Sequence, residues 1–396
     1  HCADLHFDRP FEGLHLVASK TKELPRENEQ VLANIVRLAI EKKVDFLLFA
    51  GDTFHQNRPT LKTQQQFFQQ MEQLNKENIP VYMIFGNHDY YEEERYWFDF
   101  PSNVYLFKEE KVQTISGQTN TGEQYFISGF SYLGPQLSQK KVNEFPMKQT
   151  DYHIGMYHGD MSSEYFAPFQ LQEMKNKNYD YWALGHIHVP TILSEEAAII
   201  YAGTPQGHTQ KEESTGVNYV MIDQGQVNWQ IEDVSAVKWE QKEISLAGIS
   251  QQKAVLDRII ETFQISERKL VKLRLKDTGL LPTNWLQEKE ILELLDYVND
   301  YLDKYQFKQL VYQVDVVEEL AAEKIVLPAD KKLLEQLLAT YQQIDKYNET
   351  INELVSYPLA TQAISMEQLQ EETFKQIQEK LESEFSWRKL DGIKES

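Results

Sequence analysis

The sequence predicts an α/β protein with a layered β-sandwich core flanked by helices, a small α/β cap domain and a helical C-terminal tail. Two observations carry the core. Short apolar runs, of strand rather than helix length, alternate with amphipathic helical stretches. Each run also ends where glycine, aspartate, asparagine or histidine begins, so chemistry-bearing residues sit at strand ends. A third observation sets the scale: 396 residues with 41% hydrophobic and 12% aromatic content exceed one ordinary domain and can fill several cores.

Taken in order, Cys2-Ala3 run straight into Asp4, so the first strand is expected to begin upstream of His1. Asn28 to Lys43 is a helix with Val31, Ile35, Leu38 and Ala39 on one face. Val44 to Ala50 is almost wholly apolar and suits a buried strand ending at Gly51-Asp52. Leu61 to Asn78 is a second helix carrying Phe67, Phe68, Met71 and Leu74. Pro80 to Phe85, His153 to Tyr157 and Tyr181 to Leu184 repeat the strand pattern and end at Gly86-Asn87, His158 and Gly185-His186. Alternating text at 217–222, 227–231 and 237–244 is expected to supply the second sheet and its exit. A helix at 252–262, a strand at 270–275, a helix at 288–305 and a strand at 310–317 make the cap. Beyond Pro328, helical spacing in Leu333, Leu337, Tyr341 and Ile344, then in Leu369, Phe374, Ile377, Leu381 and Phe385, predicts two amphipathic helices separated at Pro358. The expected divisions are 1–240 for the core, 241–325 for the cap and 326–396 for the tail.

Composition narrows the function classes. No run approaches the roughly 18 apolar residues that span a bilayer, and no leader pattern is seen, so a soluble cytoplasmic protein with no membrane partner is expected. Cys2 stands alone and cannot form an internal disulfide. A net charge of −21 argues against a broad basic surface for nucleic acid. Bound divalent ions would offset part of that charge where a phosphate sits.

Five islands carry the chemistry: Asp4-Leu5-His6, Gly51-Asp52, Gly86-Asn87-His88-Asp89, His158-Gly159-Asp160 and Gly185-His186-Ile187-His188. All ten histidines lie at or before His208, and five of them fall in these islands. Carboxylate oxygen and imidazole nitrogen together suit divalent transition metals, and a metal pair can clamp the attacking and leaving oxygens of a phosphoryl displacement. Ligands at strand ends in an open α/β fold meet beyond the carboxyl edge of the sheet. A two-metal centre acting on a phosphoester is therefore expected. His1, His15, His153 and His208 have no motif around them and read as packing or surface residues, with substrate contact the alternative for His208 in its Gly207-flanked loop.

In order and chemistry the islands resemble the five motifs of the calcineurin-like metallophosphoesterases: D-x-H, G-D, G-N-H-D/E, a lone His after a strand, and G-H-x-H. The stretch Ala50-Gly51-Asp52-Thr53-Phe54-His55-Gln56-Asn57-Arg58-Pro59 resembles the signature of SbcD-type DNA repair exonucleases. The opening Cys2-Ala3-Asp4-Leu5-His6 and Pro10 to Leu14 resemble the YhaO-like branch, and Tyr201-Ala202-Gly203-Thr204-Pro205 is similar to the family's Y-x-G-S/T-P turn. The resemblance implies one metal held by Asp4, His6, Asp52 and His188, and another by Asp52, Asn87, His158 and His186, with Asp52 bridging. It implies that His88 acts as general acid or transition-state stabiliser, with Asp89 fixing its tautomer, and that His55 contacts the DNA backbone. The attacking group would be a water whose pKa the ions pull toward neutrality. Manganese is the metal the family favours.

The partners implied are DNA and an SbcC-like coiled-coil ATPase docked through the C-terminal helices. The aromatic cluster Tyr90-Tyr91 and Tyr96-Trp97-Phe98 reads as core packing or a homodimer contact, with stacking on a base the alternative. The expected activity is two-metal hydrolysis of DNA phosphodiester bonds. The alternative, favoured by the acidic surface, is a phosphoesterase acting on small nucleotides or phosphoproteins.

Overall fold

Strand β1 (Leu47–Ala50) pairs in parallel with β2 (Val81–Ile84), which pairs in parallel with β3 (Val104–Leu106). The structure, a computed structural model, describes residues 1–14, 24–212, 215–263, 267–317 and 373. The tail helices expected after Pro328, and His15, lie outside these residues. No helix among the described residues is long and apolar enough to cross a membrane.

Ahead of β1 the opening segment runs alongside it. Cys2 N donates to Leu48 O at 2.8 Å, Ala50 N to Cys2 O at 2.8 Å, and Asp4 N to Gly51 O at 3.1 Å. Helices α1 (Pro25–Lys42) and α2 (Leu61–Lys76) cover the outer face of this sheet. The Thr60 side chain caps the start of α2 by accepting from Thr63 N, and the left-handed Lys43 ends α1.

The second sheet has six strands: β4 (Gln113–Gln118), β5 (Gln124–Gly129), β6 (Tyr152–His158), β7 (Tyr181–Gly185), β8 (Thr191–Ser194) and β9 (Ile199–Tyr201), ordered β4-β5-β6-β7-β9-β8. Its four inner strands are parallel and β4 and β8 are antiparallel edges. The short helix α3 (Leu171–Lys175) lies in the β6–β7 connection.

Period-two alternation explains the layering. In β1, Leu47 and Phe49 face the helices while Leu48 and Ala50 face the second sheet. In β7, Tyr181 and Ala183 face the first sheet, and Trp182 and Leu184 pack beneath Phe145 and Tyr179 on the far side. Both faces are buried, so these strands read as unbroken apolar runs.

One expectation is corrected here. The second sheet does not come from residues 217–244. Strands β10 (Val217–Asp223) and β11 (Gln226–Glu232) form a separate hairpin, and β12 (Lys238–Ser245) joins β13 (Lys269–Lys276) and β14 (Gln309–Val316) in another sheet. The strongly periodic text marks half-exposed strands. The true partners of the buried strands, such as the alternately exposed edge β4, carry weak apolar signals. The hairpin turns through Gln224 and Gly225, both at positive φ, as a two-residue turn of that twist requires.

The expected cap elements appear as β13, β14, α4 (Gln252–Glu261) and α5 (Glu288–Lys304). Contacts divide the chain into two units. One holds 1–244, 251–274 and 283–315, and the other holds 245–250, 275–282 and 316 onward. In the first, Val237, Leu270, Leu310 and Tyr312 form one small core. In the second, Leu246 N donates to Lys276 O at 2.9 Å and Val317 N to Leu275 O at 2.8 Å.

Candidate metal centre

The carboxyl ends of strands from both sheets bring the islands together. Asp4 and His6 leave the segment paired with β1, and His6 N donates to Asp52 O at 3.0 Å. Asp52 and the Asn87-His88 pair follow β1 and β2 in the first sheet. His158 ends β6, and His186 and His188 follow β7, in the second. Asp4, His6, Asp52 and His186 all adopt positive φ, an uncommon cluster for non-glycine residues and a mark of backbone bent to aim side chains. A Cβ on Gly86 would collide with Asp52 Oδ1 and His158 Nε2, and one on Gly185 with the Ala50 carbonyl, so both turns need glycine.

Donor atoms face one another across short gaps. His6 Nε2 lies 3.1 Å from His188 Nε2 and 3.8 Å from Asp52 Oδ2. The same Asp52 oxygen is 3.4 Å from His158 Nε2. Asn87 Oδ1 is 3.1 Å from both His158 Nε2 and His186 Nδ1. Both oxygens of Asp4 accept from His186 N at 3.0 Å. The sets Asp4/His6/His188, Asp4/Asp52/His158 and His6/His55/His88 each hold ligand atoms within 4.8 Å of one another.

These residues fit divalent ions. Ligands about 2.0–2.1 Å from a shared ion lie roughly 3.0–3.4 Å apart, the spacing of His6–His188, Asn87–His158, Asn87–His186 and Asp52–His158, with His6–Asp52 longer at 3.8 Å. Asp4 and Asp52 are 0% and 2% exposed, and among the described residues no lysine or arginine pairs with either. Buried carboxylates are costly, and the cationic group beside them is the His158 imidazole rather than a lysine or arginine; ions would supply the compensating charge directly. Asp52 Oδ2 lies between His6 Nε2 and His158 Nε2, and Asp4 is common to two of the three ligand sets.

Electrostatics without ions show the same demand for positive charge. Burial pushes Asp4 up to about 6. Burial, then the charge of Asp52, pushes Asp89 up to about 7. For Asp52 burial acts upward, but His158, His6 and His88 outweigh it and hold the carboxyl well below its usual range. His158 is the counterpart: burial would lower it, and the Asp52 carboxylate outweighs burial and raises it to about 9. His186 is pushed down to about 4 by burial and then by His158. Protons here occupy positions of charge that bound cations would displace.

All seven residues expected to hold metal therefore converge: Asp4, His6, Asp52, Asn87, His158, His186 and His188. His88 is exposed at the mouth with its ring 5.0 Å from those of His6 and His55, stacked on the latter. His55 N donates to Asp8 Oδ1 at 2.6 Å. His55 and His88 border a cleft of about 620 Å³ with Asn57, Tyr90, Gln136 and Phe166.

The role expected of Asp89 needs correction. Its carboxylate accepts from Gly86 N at 2.7 Å, Thr53 N at 2.8 Å and Phe54 N at 3.3 Å. It ties the two ligand loops together, while the group at His88 Nδ1 is the His55 carbonyl at 3.3 Å. A carboxylate one residue along points where its backbone sends it, and here that is into the loop amides. Two residues escaped sequence reasoning. Glu212 Oε1 lies 2.7 Å from His188 Nδ1, and Arg9 Nη1 donates to the same oxygen at 3.1 Å. Glu212 sits in charged text that reads as surface, so no spacing signal marks it. Of the aromatic cluster, Tyr91 and Tyr96 pack on the inner core, while Trp97 and Phe98 are exposed.

Residues 1–190 match the family described as calcineurin-like phosphoesterase. The chain is 31% identical over 299 residues to the uncharacterized metallophosphoesterase YhaO of Bacillus subtilis, covering 73% of each protein. It is 25% identical to the DNA double-strand break repair protein Mre11 of Archaeoglobus fulgidus, over 47% of this chain and 46% of that protein. It is 22% identical to the SbcD component of the nuclease SbcCD of Staphylococcus epidermidis, over 56% of this chain and 65% of that protein. The chain thus matches less than two thirds of either nuclease-related protein. With the clustered metal-ligand residues, these matches establish that the chain belongs to the calcineurin-like metallophosphoesterases, a hydrolase family built on a dinuclear metal centre, with YhaO, Mre11 and SbcD among its relatives.

Proposed function

We propose that this chain is a two-metal phosphodiesterase that hydrolyses DNA. The observation that supports it most is the placement of Asp52 Oδ2 between His6 and His158, with His88 and His55 at the mouth of an adjoining cleft. One ion would be held by Asp4, His6, Asp52 and His188, the other by Asp52, Asn87, His158 and His186. When bound, two such ions supply an activated water and offset the charge on a phosphate. Mixed oxygen and nitrogen donors suit manganese, the metal proposed here, as well as iron or zinc.

The chain's own residues do the rest. His88 donates its Nδ1–H to the His55 carbonyl, and Nε2 would pass a proton to a leaving oxygen from the imidazolium form, which returns the ring to the neutral Nδ1–H tautomer. Asp89 fixes the Gly86, Thr53 and Phe54 amides and thereby the loops carrying Asp52, Asn87 and His88. His55, whose backbone amide donates to Asp8 Oδ1, would meet the neighbouring backbone phosphate. The cleft volume lies within the range of small-ligand sites and admits a nucleotide unit.

DNA as substrate is supported by the relatives named for double-strand break repair and nuclease activity. By the same route we propose an SbcC-like coiled-coil ATPase partner docked on residues 326–396, a homodimer contact near the exposed Trp97, and a cytoplasmic location. The net charge of −21 favours the second reading, a phosphoesterase of small nucleotides or phosphoproteins. Labelled duplex and single-stranded DNA, cyclic nucleotides and phosphopeptides, each assayed with manganese, separate the two. Manganese-dependent DNA degradation is expected. Turnover of the small substrates with intact DNA would overturn the DNA reading and leave the phosphoesterase.

A further inference from the structure

Glu212 lies in the connection between β9 and β10, 24 residues beyond His188 and outside every island. All of its carboxylate is in use. Oε1 faces His188 Nδ1 at 2.7 Å and accepts from Arg9 Nη1 at 3.1 Å. Oε2 accepts from His208 N at 2.7 Å and Thr209 N at 3.1 Å. Glu12 N donates to His208 O at 2.9 Å, and Arg9 Nε donates to Glu12 Oε1 at 3.0 Å, so two loops are stitched around one acid. The Arg9 and Glu212 side chains are 12% and 10% exposed, which removes this pair from the class of loose surface ion pairs.

An acceptor-only group on Nδ1 has a definite consequence. His188 must carry its proton there, and Nε2, which faces His6 Nε2 at 3.1 Å, keeps the lone pair a metal needs. The other rings are held differently: His158 Nδ1 faces the Ala50 carbonyl at 3.0 Å, and His6 Nδ1 has no partner among the described residues. Among the described residues Glu212 is the one carboxylate that braces a ligand ring from its far side.

We propose that Glu212, clamped by Arg9, is a positioning residue that sets the tautomer and orientation of His188 and so sets the affinity of one of the two metal positions. The inference rests on the dinuclear reading above, and the test separates them. Free Mn²⁺ is counted by electron paramagnetic resonance during titration of the full chain, without substrate. The unaltered protein is expected to hold two ions. Glu212→Ala should weaken one of them by roughly 10–100-fold and leave the other as it was. Glu212→Gln should lose less, because its amide oxygen still accepts from Nδ1–H, and Arg9→Met should fall between. Should Glu212→Ala fail to fold by circular dichroism, the Gln and Met variants carry the comparison. Equal binding in all variants, or equal weakening of both ions, would overturn the role of Glu212 while the metal centre stands. An unaltered protein that holds fewer than two ions would overturn the centre and this inference with it.

Discussion

The same strands end in two opposite kinds of environment. At their amino ends, Phe46, Leu47, Tyr125, Ile154 and Tyr181 line a cavity of about 320 Å³ with Ile35 and Leu38 from α1. At their carboxyl ends, Asp4, Asp52 and His158 are buried but polar, with Asp4 and Asp52 at positive φ and donor atoms facing each other. Apolar side chains gain from burial, roughly 25 cal/mol per Å² of area removed from water. Buried carboxylates and imidazoles without cations gain nothing of the kind. One edge is built for stability, and the other is held in place by it.

The largest expected effect tests that division at its centre. Asp52→Ala should abolish metal binding at both positions and reduce phosphodiester hydrolysis by more than ~10⁴-fold, while the melting temperature holds or rises because a buried charge has gone. A large fall in melting temperature with activity retained would reverse the contrast. His88→Ala comes next, with loss of roughly 10²–10⁴-fold in turnover and both ions kept, read by activity beside manganese stoichiometry. Loss of metal there would make His88 a ligand.

The third effect sharpens the comparison from the stable edge. His153, at the amino end of β6, accepts or donates at Ser128 Oγ, 2.9 Å away, and stacks on Tyr179. Burial pushes it down from 6.5 to about 4. Between those values the unfolded chain takes up a proton that the fold refuses, so this contribution is complete above pH 6.5 and declines as pH falls toward 4. His153→Gln should therefore flatten the drop in melting temperature between pH 7 and 5 without changing metal binding. An unchanged slope would remove His153 from the acid response. Smallest is Gly225→Ala in the β10–β11 turn. Nothing crowds the new methyl, but φ of +79° is strained for alanine, and a cost of about 1 kcal/mol is expected with activity untouched. A melting temperature that does not move would show that the hairpin adds little to the stable edge.

How much of this was legible follows from how far each signal reaches along the chain. Strands β1, β2, β6 and β7 were visible because both of their faces are buried, which writes an apolar run with no alternation. The islands were visible because sharp turns need glycine and metals need oxygen and imidazole, residue types that stand out beside such runs. The assignment of strands to sheets was not visible. Edge strand β4 and the hairpin β10–β11 share alternating text, and only pairing partners tell them apart. The direction of Asp89 and the reach of Glu212 were hidden for the same reason, since both depend on which loop amides and which ring lie opposite.

By itself, then, the sequence determined the chemistry available: which strands are buried, where they stop, and that carboxylate, amide and imidazole wait at those stops. Tertiary structure decided the rest. It set two sheets face to face so that His158 and His186 from one meet Asp52 and Asn87 from the other, and it turned Asp89 inward and Glu212 across. Local propensity acts over a few residues. A shared centre depends on distances between segments more than a hundred residues apart, which only packing can set.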